Sequence, residues 1–155
     1  MTIEELQRTV WDMVPFNKLL GLHVVGLSQG EVTLALPWRP EISNHVGTTH
    51  AAALFGLGEA TAGAALLVGL DDVLGAGWVP LAREGRISYR KPVPGEARAT
   101  SRITEAEVAR VRVESRVAGA EKVRLTVPVV IATIEGVEAC TFEVDFVLVP
   151  QGPRA

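Results

Sequence analysis

Glu59 is the only acidic residue between Glu41 and Asp71, and it stands in the middle of the run AAALFGLGEATAGAALLVGL. An ionised carboxylate in such apolar surroundings costs on the order of several kcal/mol unless it is paired or protonated. Burial raises its pKa, which suits a general base working near neutral pH; the same group can also act as a nucleophile. Just ahead of the run lie Asn44, Gly47 and His50. Asn44 can position water or substrate, or it can form an Asx turn before a helix. His50 can hydrogen-bond a ligand carbonyl or be satisfied by a carbonyl of the protein. His45 and His23 are expected to be structural or exposed. Three scattered histidines and one distant Cys140 have no metal-ligand spacing, so no metal site is expected.

The element that must carry Glu59 is a helix. Ala and Leu dominate the run, it is too long for one strand, Thr48 or Thr49 can cap its start, and Gly69 with Asp71 and Asp72 marks its end. Such a helix is expected to be buried all round. Ala52, Gly56, Ala60 and Ala64 recur every four residues and predict a shallow face on which a curved sheet could lie. The run is nearly long enough to span a membrane. Its weak Ala and Gly content, the central Glu59 and acidic rather than basic flanks argue against that.

The rest of the chain supplies the wrapping. Thr2 and Glu5 form a capping box for a short helix that Pro15 is expected to stop. Alternation predicts strands over about residues 22–27 and 31–36, joined by a turn at Gln29 and Gly30, then a loop carrying Trp38, Arg39 and Asn44. A long strand is expected from Trp78 to Arg90, closed by a KPVPG turn, and another from Ala97 to Ile103. Residues 104–118 fit alternation through Val111, Val113 and Val117. They also fit a helix through the Thr104 and Glu107 capping box, and helix is preferred. Residues 123–131 and 141–148 form a long antiparallel hairpin around a turn at Glu135 and Gly136, with Pro128 marking a bulge or an edge.

Composition bounds the rest. The 155 residues make one domain, residues 1–150, with a frayed tail over 151–155. With 48% hydrophobic residues the bulk is ordered, and a net charge of −3 gives no reason to expect nucleic acid. A single cysteine and no signal-like N-terminus predict a cytoplasmic protein.

An α+β chain with one long central helix entering after strand two, wrapped by a curved antiparallel sheet of about six strands, with an N-terminal helix and an extra helix near 104–118, has the order of the hotdog fold. The stretch NHVGTTHAAALFGLGEATAG resembles the Asn, His-Gly-Gly, Asp signature of small acyl-CoA thioesterases of the phenylacetate-pathway type, and RISYRKPVPGEARATSRI resembles the strand and turn that follow. Residues 104–118 resemble an insertion of an uncharacterised branch of that superfamily, known only as a domain of unknown function. The resemblance implies that Asn44 orients substrate, that His50 matches the His, and that Glu59 stands for the catalytic carboxylate. Ala51 and Ala52 replace the two glycines, which keeps the N–H groups but adds two methyls near the thioester carbonyl.

For thioester hydrolysis a helix start offers free N–H groups to the oxyanion, and Ala51 N–H is the candidate donor. Eight residues on a helix span roughly 12 Å, so one carbonyl carbon cannot approach both Ala51 and Glu59 of one chain. The site is therefore expected to join two protomers, in a homodimer or a dimer of dimers. Gly47, Ala52, Arg90 and Lys91 are candidates for holding substrate. The segment from Arg83 to Arg102 carries six basic residues against Glu84 and Glu96, which suits the phosphates of coenzyme A or a solvated strand face. Two functions follow as expectations: an acyl-CoA thioesterase needing no cofactor beyond the coenzyme A of its substrate, or a non-catalytic acyl-CoA binding protein. A hydratase is disfavoured by the lack of an Asp-x-Asn-Pro-x-His run.

Overall fold

The structure is a computed structural model that describes residues 1–28 and 30–151. Gln29, expected in a turn, and tail residues 152–155 lie outside the described residues. Helices α1 (Ile3–Met13) and α2 (Pro15–Leu20) come first, then strands β1 (His23–Ser28) and β2 (Glu31–Leu36). A 3-10 turn (Pro40–Ile42) leads to α3 (Ala51–Gly69) and α4 (Asp71–Gly75). Strands β3 (Trp78–Tyr89) and β4 (Ala97–Arg102), helix α5 (Glu105–Ser115), and strands β5 (Val123–Thr133) and β6 (Glu138–Pro150) complete the chain. The six strands form one antiparallel sheet in the order β1-β2-β4-β5-β6-β3.

Along β5 buried and exposed residues alternate, so Val127, Val129 and Ile131 face inward with Phe142, Val144 and Leu148 of β6. They pack with Val32, Leu34 and Leu36 of β2 around Leu54, Leu57 and Leu66 of α3. Each such side chain fully removed from water contributes about 1.5–3 kcal/mol. By length and composition α3 could cross a membrane; here it is the core helix of a sheet-wrapped domain.

Several local expectations are corrected. Pro15 does not only end a helix: it opens α2 at the first helical position, where a missing N–H costs nothing. Helix α2 ends at Gly21 in the left-handed region (φ +70°), and the Arg39 guanidinium donates to the carbonyls of Leu20 (2.8 Å) and Leu19 (2.9 Å). The small-residue face of α3 receives α2 rather than the sheet. A Cβ on Gly56 would lie 2.7 Å from Leu20 Cδ1 and 3.3 Å from Phe16 Cε1.

Pro128 marks neither a bulge nor an outer edge. The β4 ladder ends at Ser101 and Val129, and Ser101 Oγ donates to the Pro128 carbonyl at 2.8 Å. The Pro128 nitrogen therefore points to the side where the β4–β5 pairing has already ended, and no ladder bond is lost.

Helix α5 forms as preferred, with Thr104 Oγ1 accepting from Glu107 N–H. Of its valines only Val111 is buried (0% exposed); Val113 is 69% exposed. Gln151, assigned to the frayed tail, donates its N–H to the Gly77 carbonyl at 2.7 Å.

Candidate functional site

The loop before α3 is built by Asn44. Its Oδ1 accepts from Val46 N–H and Thr48 N–H, both at 3.1 Å, and its Nδ2 donates to Thr48 Oγ1 at 2.8 Å. Gly47 takes φ +79° to close the turn. The hydrogen bonds of the Asn44 side chain among the described residues all stay within its own loop, so Asn44 and Gly47 shape the entrance to the helix. These bonds make the Asx turn expected before the helix.

The cap differs as well. Thr49 is held elsewhere: it bridges to Ser43, its N–H donates to Val93 and its hydroxyl to the Gly95 carbonyl. His50 caps α3 instead, with Nδ1 accepting from Ala52 N–H at 3.0 Å. A backbone N–H can only donate, so Nδ1 carries no proton and the neutral ring keeps its hydrogen on Nε2. His50 N–H donates to Ile42, while Ala53 and Leu54 N–H donate to the His50 carbonyl. Ala51 N–H is left as the first-turn donor with no acceptor among the described residues.

Ala51 lines a groove of about 340 Å³ with Asn44, Val46, Tyr89, Arg90 and Lys91. Six predicted or neighbouring residues thus meet where the helix starts, while His50 and Ala52 are exposed beside it. Tyr89 is the residue the sequence reasoning missed: its hydroxyl donates to the Ala51 carbonyl at 2.9 Å. The available signal was its place at the end of a strand, one residue before Arg90.

Helix α3 is not buried all round. Ala51, Phe55, Glu59, Gly63 and Leu67 recur every four residues as its less covered stripe. Glu59 is half-buried, and no donor among the described residues bonds it. Burial alone pushes its pKa up. It borders two hollows. One, of about 180 Å³, also touches Met13, Asn17, Gly63, Leu67 and Phe146; the other lies by Phe55, Gly85 and Phe142. Neither contains Ala51, so the structure separates Glu59 from the helix-start groove within one chain.

Three of the six basic residues of the run, Arg86, Arg90 and Arg98, are paired with carboxylates. Arg86 binds Asp145 (2.8 Å), Glu84 (3.1 Å) and Glu143 (3.3 Å), and holds the Asp145 carboxyl below the usual range. Arg98 pairs with Glu96 (2.9 Å) and Arg90 with Glu138 (3.4 Å). Lys91 makes no ion pair among the described residues. These contacts are exposed and screened by solvent.

Strand β3 is the edge of the sheet beside the open stripe of α3, and most of its residues are exposed, including Leu81 at 50%. A long exposed edge of this kind is a template for pairing with another strand.

A six-stranded antiparallel sheet curved around one long helix is the hotdog fold. The chain belongs to the family described as Domain of unknown function (DUF4442), which matches residues 4–148. Among solved structures it is similar to a Pseudomonas aeruginosa protein of unknown function described as a probable thioesterase. That likeness has 23% identity, coverage of 97% of each chain and a TM-score of 0.83. It is also similar to a thioesterase of Haemophilus influenzae at 14% identity, covering 99% of this chain and 94% of the other with a TM-score of 0.76. A thioesterase of Pseudomonas aeruginosa, solved as a mutant, shares 14% identity over 97% of this chain and 95% of its own, with a TM-score of 0.74. No curated protein was found to match the chain.

Proposed function

We propose that the protein is an acyl-CoA thioesterase that works as a homodimer, with Ala51 of one protomer and Glu59 of its partner at each site. The observation that carries this is the pairing of one free helix-start N–H with one unpartnered, half-buried carboxylate on the same open stripe of α3. Two copies joined along β3 would lay the two stripes against each other and bring the separated halves together, and the thioesterase names of the solved structures that share this fold support the reaction class.

In the reaction, Ala51 N–H donates to the thioester oxygen as it becomes an oxyanion. Glu59 either takes a proton from the attacking water or attacks the carbonyl carbon itself to form an anhydride that water then opens. The carbon–sulfur bond breaks, the proton passes to the thiolate, and a carboxylic acid and coenzyme A leave. Arg90 and Lys91 flank the groove where the coenzyme A phosphates would lie. No cofactor is needed beyond the coenzyme A of the substrate, and the single buried Cys140 suits the cytoplasm.

A second class, an acyl-CoA binding protein without turnover, is favoured by one contact. His50 occupies the N–H of Ala52, so a single oxyanion donor remains at the helix start. Thiol release over a panel of acyl-CoA substrates, run with light scattering, decides between them. Turnover by a dimer is expected; tight binding with no thiol released would establish the binding class, and an active monomer would sink the shared site.

A further inference from the structure

The hollow of about 180 Å³ between the N-terminal helices and the open stripe of α3 is apolar except at two points, Glu59 and Asn17. Asn17 is only 4% exposed. Its Nδ2 donates to the Val10 carbonyl at 3.2 Å, and because a carbonyl can only accept, that contact fixes which end of the amide is nitrogen. Oδ1 is thereby turned away from Val10, and no donor among the described residues reaches it. Yet no side-chain oxygen among the described residues is both sealed and unbonded. The small surface that Asn17 keeps therefore includes Oδ1, and Asn17 lines the hollow.

An acceptor set in an apolar wall discriminates: a ligand that brings a donor satisfies it, whereas a hydrocarbon strips its water and gives nothing back. We propose that the hollow seats the end of the acyl group remote from the thioester, and that Asn17 Oδ1 accepts a hydrogen bond from a hydroxyl carried there. The substrate class is then a hydroxylated acyl thioester rather than a plain aliphatic one. This rests on the thioesterase proposal, because Glu59 shares the wall of the hollow. Gly63 lines the same hollow, and having no side chain it takes up none of the space.

The test uses alkyl-CoA thioethers of increasing length, each with and without a terminal hydroxyl, whose carbon–sulfur bond cannot be hydrolysed. Calorimetry on the wild-type dimer should show, at the best-fitting length, roughly tenfold tighter binding of the hydroxylated ligand, the scale of one neutral hydrogen bond. Asn17→Leu should abolish that preference while the plain chain still binds. Equal or tighter binding of the plain chain by the wild-type protein at every length overturns the inference, with no need for the variant to fold. Thiol release from the matching thioesters is read separately. A hydroxyl preference without turnover would refute the hydrolase reading and keep the binding site, whereas turnover without a preference would remove the site alone.

Discussion

Replacing Ala51 with proline deletes one hydrogen atom at the place where the proposed oxyanion would sit and asks little of the fold. Ala51 is the first residue of α3, the position most tolerant of proline, and its N–H has no acceptor among the described residues. His50 before it sits at φ −64° and ψ 142°, the extended conformation that a following proline requires. The variant should therefore melt at or about 1–4 °C above the wild type, the gain expected of a compatible proline in a chain of this size. Turnover should behave otherwise. Loss of one preorganised oxyanion donor typically lowers kcat by about 100- to 1,000-fold. The assay is thiol release at saturating acyl-CoA beside a melting curve. A variant that melts like the wild type and keeps kcat within roughly threefold, far less than the loss of such a donor, would refute the role of Ala51.

Glu59→Gln should lower thiol release at least about a hundredfold. Because burial raises the Glu59 carboxyl above its ordinary range, the folded protein holds a proton that the unfolded chain has already lost, and stability falls as pH rises from the ordinary carboxylate value through the raised folded one. The Gln variant should lack that fall and be the more stable at neutral pH; parallel stability curves for the two proteins would contradict this. Gly58→Ala would push a Cβ into the Phe142 ring, to 2.9 Å from Cε1 and 3.0 Å from Cγ. Overpacking of about 3 kcal/mol, less about 1 kcal/mol of helix propensity, leaves a net loss of about 2 kcal/mol, or roughly 4–8 °C in Tm. An unchanged Tm would count against this packing. Arg90→Ala with Lys91→Ala should weaken coenzyme A binding mainly at low salt, since exposed charges are screened; a loss independent of salt would assign these residues another part.

The core helix and the strands were legible because their signals are local: an Ala and Leu run for α3, strict alternation for β5 and β6, a capping box for α1. What failed was decided by residues far apart in the chain. Thr49 is the better cap by type, but Ser43 and Gly95 claim it, and His50 takes the position. The segment around Arg83 and Arg90 is positive in sequence, yet β6 runs beside β3 and supplies Glu138, Glu143 and Asp145. Ala51, Arg90 and Lys91 were chosen from the sequence and do share one groove. Tyr89 and Asn17 were not, because what marks them is a contact with Ala51 in one case and an unpartnered oxygen in an apolar wall in the other.

Phe55 and Phe142 stack edge to face with centroids 4.8 Å apart, in space left free by Gly58 on α3 and Gly85 on β3. A Cβ on Gly85 would stand 2.6 Å from Phe55 Cζ and 3.2 Å from Phe142 Cζ. Two rings and two missing side chains therefore fill one volume, and during divergence a side chain gained at position 58 or 85 must displace a ring. A relative that gains a side chain at position 58 or 85 should carry a smaller residue at 55 or 142. The four positions would drift as a linked set, and since Phe55 and Phe142 border the hollow beside Glu59, each linked change would also recut that hollow.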